Sequence, residues 1–135
     1  ANHCFSKQES YELGYFGQIS VIRDYSAVTF ACAMIKKSVY EELNGLDEEN
    51  LAVAFNDIDF CLRAREKKYL IVYTPYSLLY HHESLSRGYN VNFNEEYFIR
   101  RRHANILQSG DPYYNPNLTH ERFDFSLKIL DINRN

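Results

Sequence analysis

The chain lacks an apolar run long enough to cross a bilayer. Its longest apolar stretches, AVTFACAMI (27–35) and YLIVYTPYSLLY (69–80), are too short or too interrupted by Thr, Pro and Ser to supply the roughly 20 apolar residues a membrane helix needs. A basic surplus is also missing. With 15 Lys and Arg against 18 Asp and Glu, the net charge is -3, which argues against nucleic acid as a partner because phosphate affinity depends on a basic footprint. The three cysteines, Cys4, Cys32 and Cys61, are odd in number and have no CxxC spacing. They read as reduced thiols of a cytoplasmic protein, one buried in a strand and one in a helix. There is no initiator Met, no signal-peptide pattern, no repeat and no low-complexity segment, and the sequence begins as if cut from something longer.

What is present fits one soluble globular domain. At 135 residues, 45% hydrophobic and 24% charged, the chain has the size and composition to bury roughly two-thirds of its unfolded surface around a single core. The expected unit is 1–135, with residues 1–13 as a flexible arm. Gly14 and Gly17 punctuate an irregular start, and QISVI (18–22) reads as a short strand. AVTFACAMI reads as a buried strand. Ser38 is placed to cap a short helix, VYEELN, that Gly45 ends in a left-handed conformation. Ile58, Cys61 and Leu62 recur at helical spacing, so a helix is expected over 57–67 with Asn56 as its cap. YLIVYTP is the next strand, broken by Pro75, and SLLYHH continues extended into a polar loop. A second long helix is expected over 94–108, opened by Asn94 and closed by Ser109-Gly110. An ordered irregular arm, DPYYNPNLTHERFDFSL, completes an α/β (α+β) fragment with a few mixed strands and two or three helices.

Two constellations carry chemistry. The first is Asp57-Ile58-Asp59. Aspartates one residue apart can share a divalent ion through hard oxygen ligands when the backbone is extended, but on a helix residues i and i+2 do not face each other. At a helix start the pair separates into two roles. Asp57 meets free amides and the positive end of the dipole, which favour the ionised form a general base needs; the alternative is a helix-start acid with no chemistry. Asp59 stands four residues before Arg63, the spacing of an ion pair. The second constellation is LYHHESLSRG (79–88). His81 and His82 alternate faces at a strand end, so at most one enters a given site. Imidazole suits a transition metal, and Ser84, Ser86 and Arg87 offer hydroxyls and a guanidinium to phosphate oxygens. The alternative is a polar loop with one histidine bonded to backbone. The basic run Arg100-Arg101-Arg102-His103 reads as a solvated helix face, or else as a contact for an anionic substrate or membrane headgroup. Most of the 12 Tyr and 9 Phe are expected in packing, with at most two or three against a ligand.

The order and spacing of YSAVTFACAMIKKSVYEELNGLDEENLAVAFNDIDFCLRAREKKYLIVYTPYSLLYHHESLSRG, with the later GDPYYNPNLT and DFSL, resembles the C-terminal half of the family-two inverting glycosyltransferases of the A-type fold. The match runs from about Gly14 to Leu127, and the tail motifs resemble the branch that builds bacterial surface polysaccharides, including rhamnose-rich ones.

The resemblance implies a partial A-type fold and transfer from a nucleotide-sugar donor to a glycan acceptor in a single inverting displacement. Asp57 takes the base role, with Asn56 where the family has glutamate, and Asn56, Asp59 and Arg63 supporting it on the acceptor side. His81, or else His82, ligates a divalent Mn or Mg ion of the full-length enzyme, and Ser84, Ser86 and Arg87 close over the diphosphate. Phe30 stands where the family has Gly and is expected to narrow the acceptor cleft; His103 stands in place of Trp and is expected to affect packing only. The family's nucleotide-binding half has no counterpart here. The chain alone is therefore expected to be inactive, to hold no metal tightly, and to associate with itself through an exposed sheet edge, the full-length enzyme being cytoplasmic or peripheral to the membrane. Two other readings remain: a non-catalytic glycan-binding or assembly module, and a metal-dependent hydrolase using Asp57, Asp59 and the histidines.

Overall fold

A computed structural model describes residue 5, residue 9 and residues 11–81, 93–122 and 124–128. In chain order these form a kinked 3-10 helix (Tyr15–Ser20), β1 (Arg23–Asp24), α1 (Lys37–Glu42), α2 (Asn56–Glu66), β2 (Val72–Tyr73), α3 (Phe93–Arg102) and α4 (Ala104–Ser109). The α/β character expected from sequence is present. β1 and β2 make a two-stranded antiparallel sheet, Arg23 opposite Tyr73 and Asp24 opposite Val72. Most of the expected arm over 1–13 lies outside the described residues.

The apolar runs are less regular than their composition suggests. Residues 18–22 do not form a strand, because Gly14, Phe16 and Gly17 all have positive φ and coil the chain into 3-10 turns. AVTFACAMI is irregular rather than a buried strand. Two of its amides are taken by side chains, Phe30 N–H by the Asp57 carboxylate and Ala31 N–H by Thr29 Oγ1, and are thereby withdrawn from any ladder. Cys32 and Met34 of this run are exposed, and only Phe30 and Ile35 pack against the core. Cys61 is buried in α2 as expected; burial pushes its thiol pKa up, against a weak bond to the Val28 carbonyl. Cys4 lies outside the described residues.

The core gathers on α2. Phe60 and Ala64, one turn apart, meet Leu43, with Phe30, Ile35, Val39, Leu46 and Ile71 packed around them. α1 begins at Lys37 with Lys36 before it, so Ser38 lies inside the helix and does not cap it. Asn44 and Gly45 then take left-handed conformations that turn the chain back. The expected helix over 94–108 is two helices, interrupted at His103, which is itself buried. The C-terminal arm folds back on itself through the Leu118–Leu127 bridge, and stacking of Tyr15 on Phe125 joins it to the 3-10 helix. No helix among the described residues is long and apolar enough to cross a membrane.

Gly45 has a φ of 66°, and a Cβ there would lie 3.0 Å from the Tyr40 hydroxyl. Gly45→Ala is expected to cost about 1–2 kcal/mol of unfolding free energy from the left-handed backbone, with a further loss if Tyr40 must shift. Urea titration followed by circular dichroism measures this.

Candidate functional site

The start of α2 separates the two aspartates physically. Asp57 is half-buried, and its oxygens accept two amides, Oδ1 from Ile58 at 2.8 Å and Oδ2 from Phe30 at 3.3 Å. Phe30 therefore holds Asp57 through its backbone. Its ring turns inward, edge-on to Phe60 with centroids 5.6 Å apart, so the side chain expected to narrow a cleft belongs to the core. Asn56 is the first residue of α2 and not its cap. The preceding position is Phe55, left-handed at φ 62°, with no side-chain capping bond.

Asp59 faces the other way and has no solvent exposure. Its Oδ2 accepts from Arg63 Nε at 2.7 Å, the expected i,i+4 pair. Its Oδ1 accepts from His103 Nε2 at 2.9 Å and lies 3.4 Å from Arg102 Nη1. Arg63 directs its remaining donors to the carbonyls of Leu43 and Gly45, the latter at 2.8 Å, and lies over the Phe60 ring. Arg102 also binds Asp47 at 2.7 Å, and Asp47 in turn accepts the Asn50 amide. One carboxylate thus joins α2 to the turn after α1 and to the junction of α3 and α4. Burial alone would raise the Asp59 pKa. The bonds from His103 and Arg63, with the charges of Arg63 and Arg102, overcome that and hold it below the usual carboxylate value.

These contacts revise the reading of the basic run. Arg100 pairs with Glu96 within α3, Arg102 is drawn into the Asp47 and Asp59 contacts, and His103 is buried. His103 does more than fill the space of an indole, since it donates to the buried carboxylate, while its Nδ1 makes no hydrogen bond and lies 3.6 Å from Glu66. Glu95, which local pattern marks only as an acid in a first helical turn, is 4% exposed and accepts the amides of Val53 at 3.2 Å and Ala54 at 2.7 Å. Its partners are more than 40 positions away in sequence, so periodicity and capping rules carry no signal for it.

The second constellation is described only at its edge. His81 is exposed, and His82, Ser84, Ser86 and Arg87 lie outside the described residues. Among the described residues no group of three or more His, Cys, Asp or Glu side chains is placed to hold a metal ion. Asp57, Asp59 and His81 do not converge on a common point. An open cavity of about 460 Å³ is lined by Tyr40, Glu41, Asn44, Gly45, Leu46 and Glu48; none of the residues singled out from sequence as site residues lines it.

Comparison with known proteins finds relatives much longer than this chain. Over 120 residues, 84% of its length, the chain is 44% identical to the uncharacterized protein y4gI of Sinorhizobium fredii. Over 115 residues, again 84% of its length, it is 33% identical to the O-antigen biosynthesis protein RfbC of Myxococcus xanthus. The chain spans only 13% and 9% of the lengths of these two relatives. No family model matches it, and no solved structure matches it significantly.

The Asp59 geometry fixes a pH dependence. A carboxyl with a lowered folded pKa contributes stability that is fully present above its unfolded value, 3.8, and is lost as the pH falls through the folded value. Asp59→Asn leaves Arg63 with an uncompensated buried charge and is expected to cost about 3–5 kcal/mol at neutral pH. It should also flatten the decline in unfolding free energy below about pH 4, as measured by urea titrations across pH. An equally steep acid decline in the variant would assign that loss to other carboxyls.

Proposed function

We propose that this chain is the acceptor-side, base-bearing part of an inverting glycosyltransferase acting in surface-polysaccharide biosynthesis. The observation that carries the reading is the asymmetry of the two aspartates: Asp59 is wholly buried in an ionic network, whereas Asp57 is only partly buried, takes no part in that network and is oriented by two backbone amides. The resemblance of the motifs around Asp57 to family-two glycosyltransferases, and the similarity to a protein named for O-antigen biosynthesis, support the same class.

In the proposed step an acceptor hydroxyl approaches Asp57. The carboxylate takes the hydroxyl proton as the oxygen forms its bond to the anomeric carbon of the donor sugar. The bond from that carbon to the nucleoside diphosphate breaks, and its electron pair leaves with the diphosphate. One inversion results. Carboxylate bases of this kind contribute typically 10²–10⁴-fold. As the resemblance implies, the nucleotide pocket is assigned to a part of the enzyme outside these 135 residues, with Ser84, Ser86 and Arg87 of this chain closing over the diphosphate.

A second reading, a glycan-binding module without catalysis, is favoured by Tyr76 and Tyr80, which are 84% and 88% exposed and offer ring faces of the kind that sugars stack on. Two measurements separate the readings. The 135-residue chain alone is expected to release no nucleoside diphosphate from a nucleotide-sugar, with or without acceptor, in a coupled assay. In a transfer-competent longer protein carrying this segment, Asp57→Asn is expected to lower kcat by about 10²–10⁴-fold while acceptor binding, measured calorimetrically, is retained. Unchanged transfer in that variant removes Asp57 from the chemistry and leaves the binding-module reading.

A further inference from the structure

The approach to α2 is held in an unusual way. Phe55 adopts a left-handed conformation that costs a bulky L-residue about 1–2 kcal/mol, and strained backbone of this kind persists only where its surroundings over-determine it. The two residues before it are held by Glu95, a nearly fully buried carboxylate whose oxygens each accept one of two consecutive amides, Val53 and Ala54. The carbonyl of Phe55 accepts the Asp59 amide at 2.8 Å, and Asp59 is anchored at the far end of the same helix, α3, through Arg102 and His103. α3 therefore grips the chain on both sides of Asp57, at 53–54 and at 59.

We infer that Glu95 is a positioning residue for Asp57. Resting on the assignment of Asp57 as base, this extends it to a residue that does not touch the reacting atoms. By fixing the amides of Val53 and Ala54, Glu95 sets the path through Phe55 into α2, and so the direction in which the Asp57 carboxylate leaves the helix. An accepting pair of oxygens is required. A glutamine in its place would offer one oxygen and one NH₂ group, and the NH₂ would face an amide N–H with no acceptor between them.

The test uses Glu95→Gln, Glu95→Asp and Asp57→Asn in a transfer-competent protein carrying this segment, with kcat expressed per folded molecule. Both Glu95 variants are expected to lower kcat by about tenfold to a hundredfold, the range that a displacement of about 1 Å in a reacting group produces, while the donor KM stays within twofold. Glu95→Asp keeps the charge with a shorter reach, and serves alone if the Gln variant does not fold. In the 135-residue chain, the amide proton resonances of Val53, Ala54 and Phe30 should move together in the Glu95 variants, since Phe30 reports on the Asp57 carboxylate; a purely structural Glu95 would leave Phe30 in place. If Asp57→Asn abolishes transfer but both Glu95 variants keep kcat within twofold, the positioning role is overturned and the base assignment stands. If Asp57→Asn leaves transfer intact, the base assignment itself fails.

Discussion

A carboxylate removed entirely from water is the constraint around which this structure is arranged. Asp59 has no exposed surface, and an isolated buried charge of that kind is costly enough that it would be neutralised or expelled. It persists because Arg63, His103 and Arg102 surround it, and each comes with further obligations. Arg63 must reach the carbonyls that end α1, Arg102 must reach Asp47, and His103 must turn into the core at the break between α3 and α4. Such a network adds little net stability over an apolar core, but losing one member is expensive. Its effect is to select one arrangement of α2, α3 and the turn after α1. The apolar cluster of Leu43, Phe60 and Ala64 is too small to do that on its own.

This arrangement bears directly on Asp57. Two residues away from the network, its side chain is only partly buried and is held by amides in place of charges. The buried ionic contact and the partly buried carboxylate are thus neighbours on one helical turn, with the first supporting the second. Functional groups are most accurately placed when their own support is locked in this way. The path into α2 adds a second constraint, since the left-handed Phe55 lies between the amides that Glu95 holds and the turn that Asp59 anchors.

Local pattern made some of this legible. The spacing of Asp59 and Arg63 announced their pair, because helical geometry brings residues four apart together whatever the fold around them. Gly45 announced a left-handed turn for a similarly local reason. YLIVYTP does contain β2, at Val72–Tyr73, whereas AVTFACAMI has strand composition without a strand: a strand forms only where a partner ladder exists, and here side chains at Asp57 and Thr29 take two of its amides. His103 and Glu95 were invisible as partners of Asp59 and of the 53–54 amides because they lie more than 40 residues away in sequence. A resemblance can mark such a position as unusual, as it did with His103 in place of Trp, without saying what the new side chain bonds to.

The placement of α2 against α3 and α4 depends on Asp59 and His103 acting as one energetic unit. A double-mutant cycle of Asp59→Asn and His103→Gln in the 135-residue chain, followed by urea unfolding at neutral pH, measures their coupling directly. The expected interaction energy is about 1–3 kcal/mol, the upper part of the range found for residues sharing one hydrogen-bonded ionic network. Additive effects, with coupling below about 0.5 kcal/mol, would contradict it.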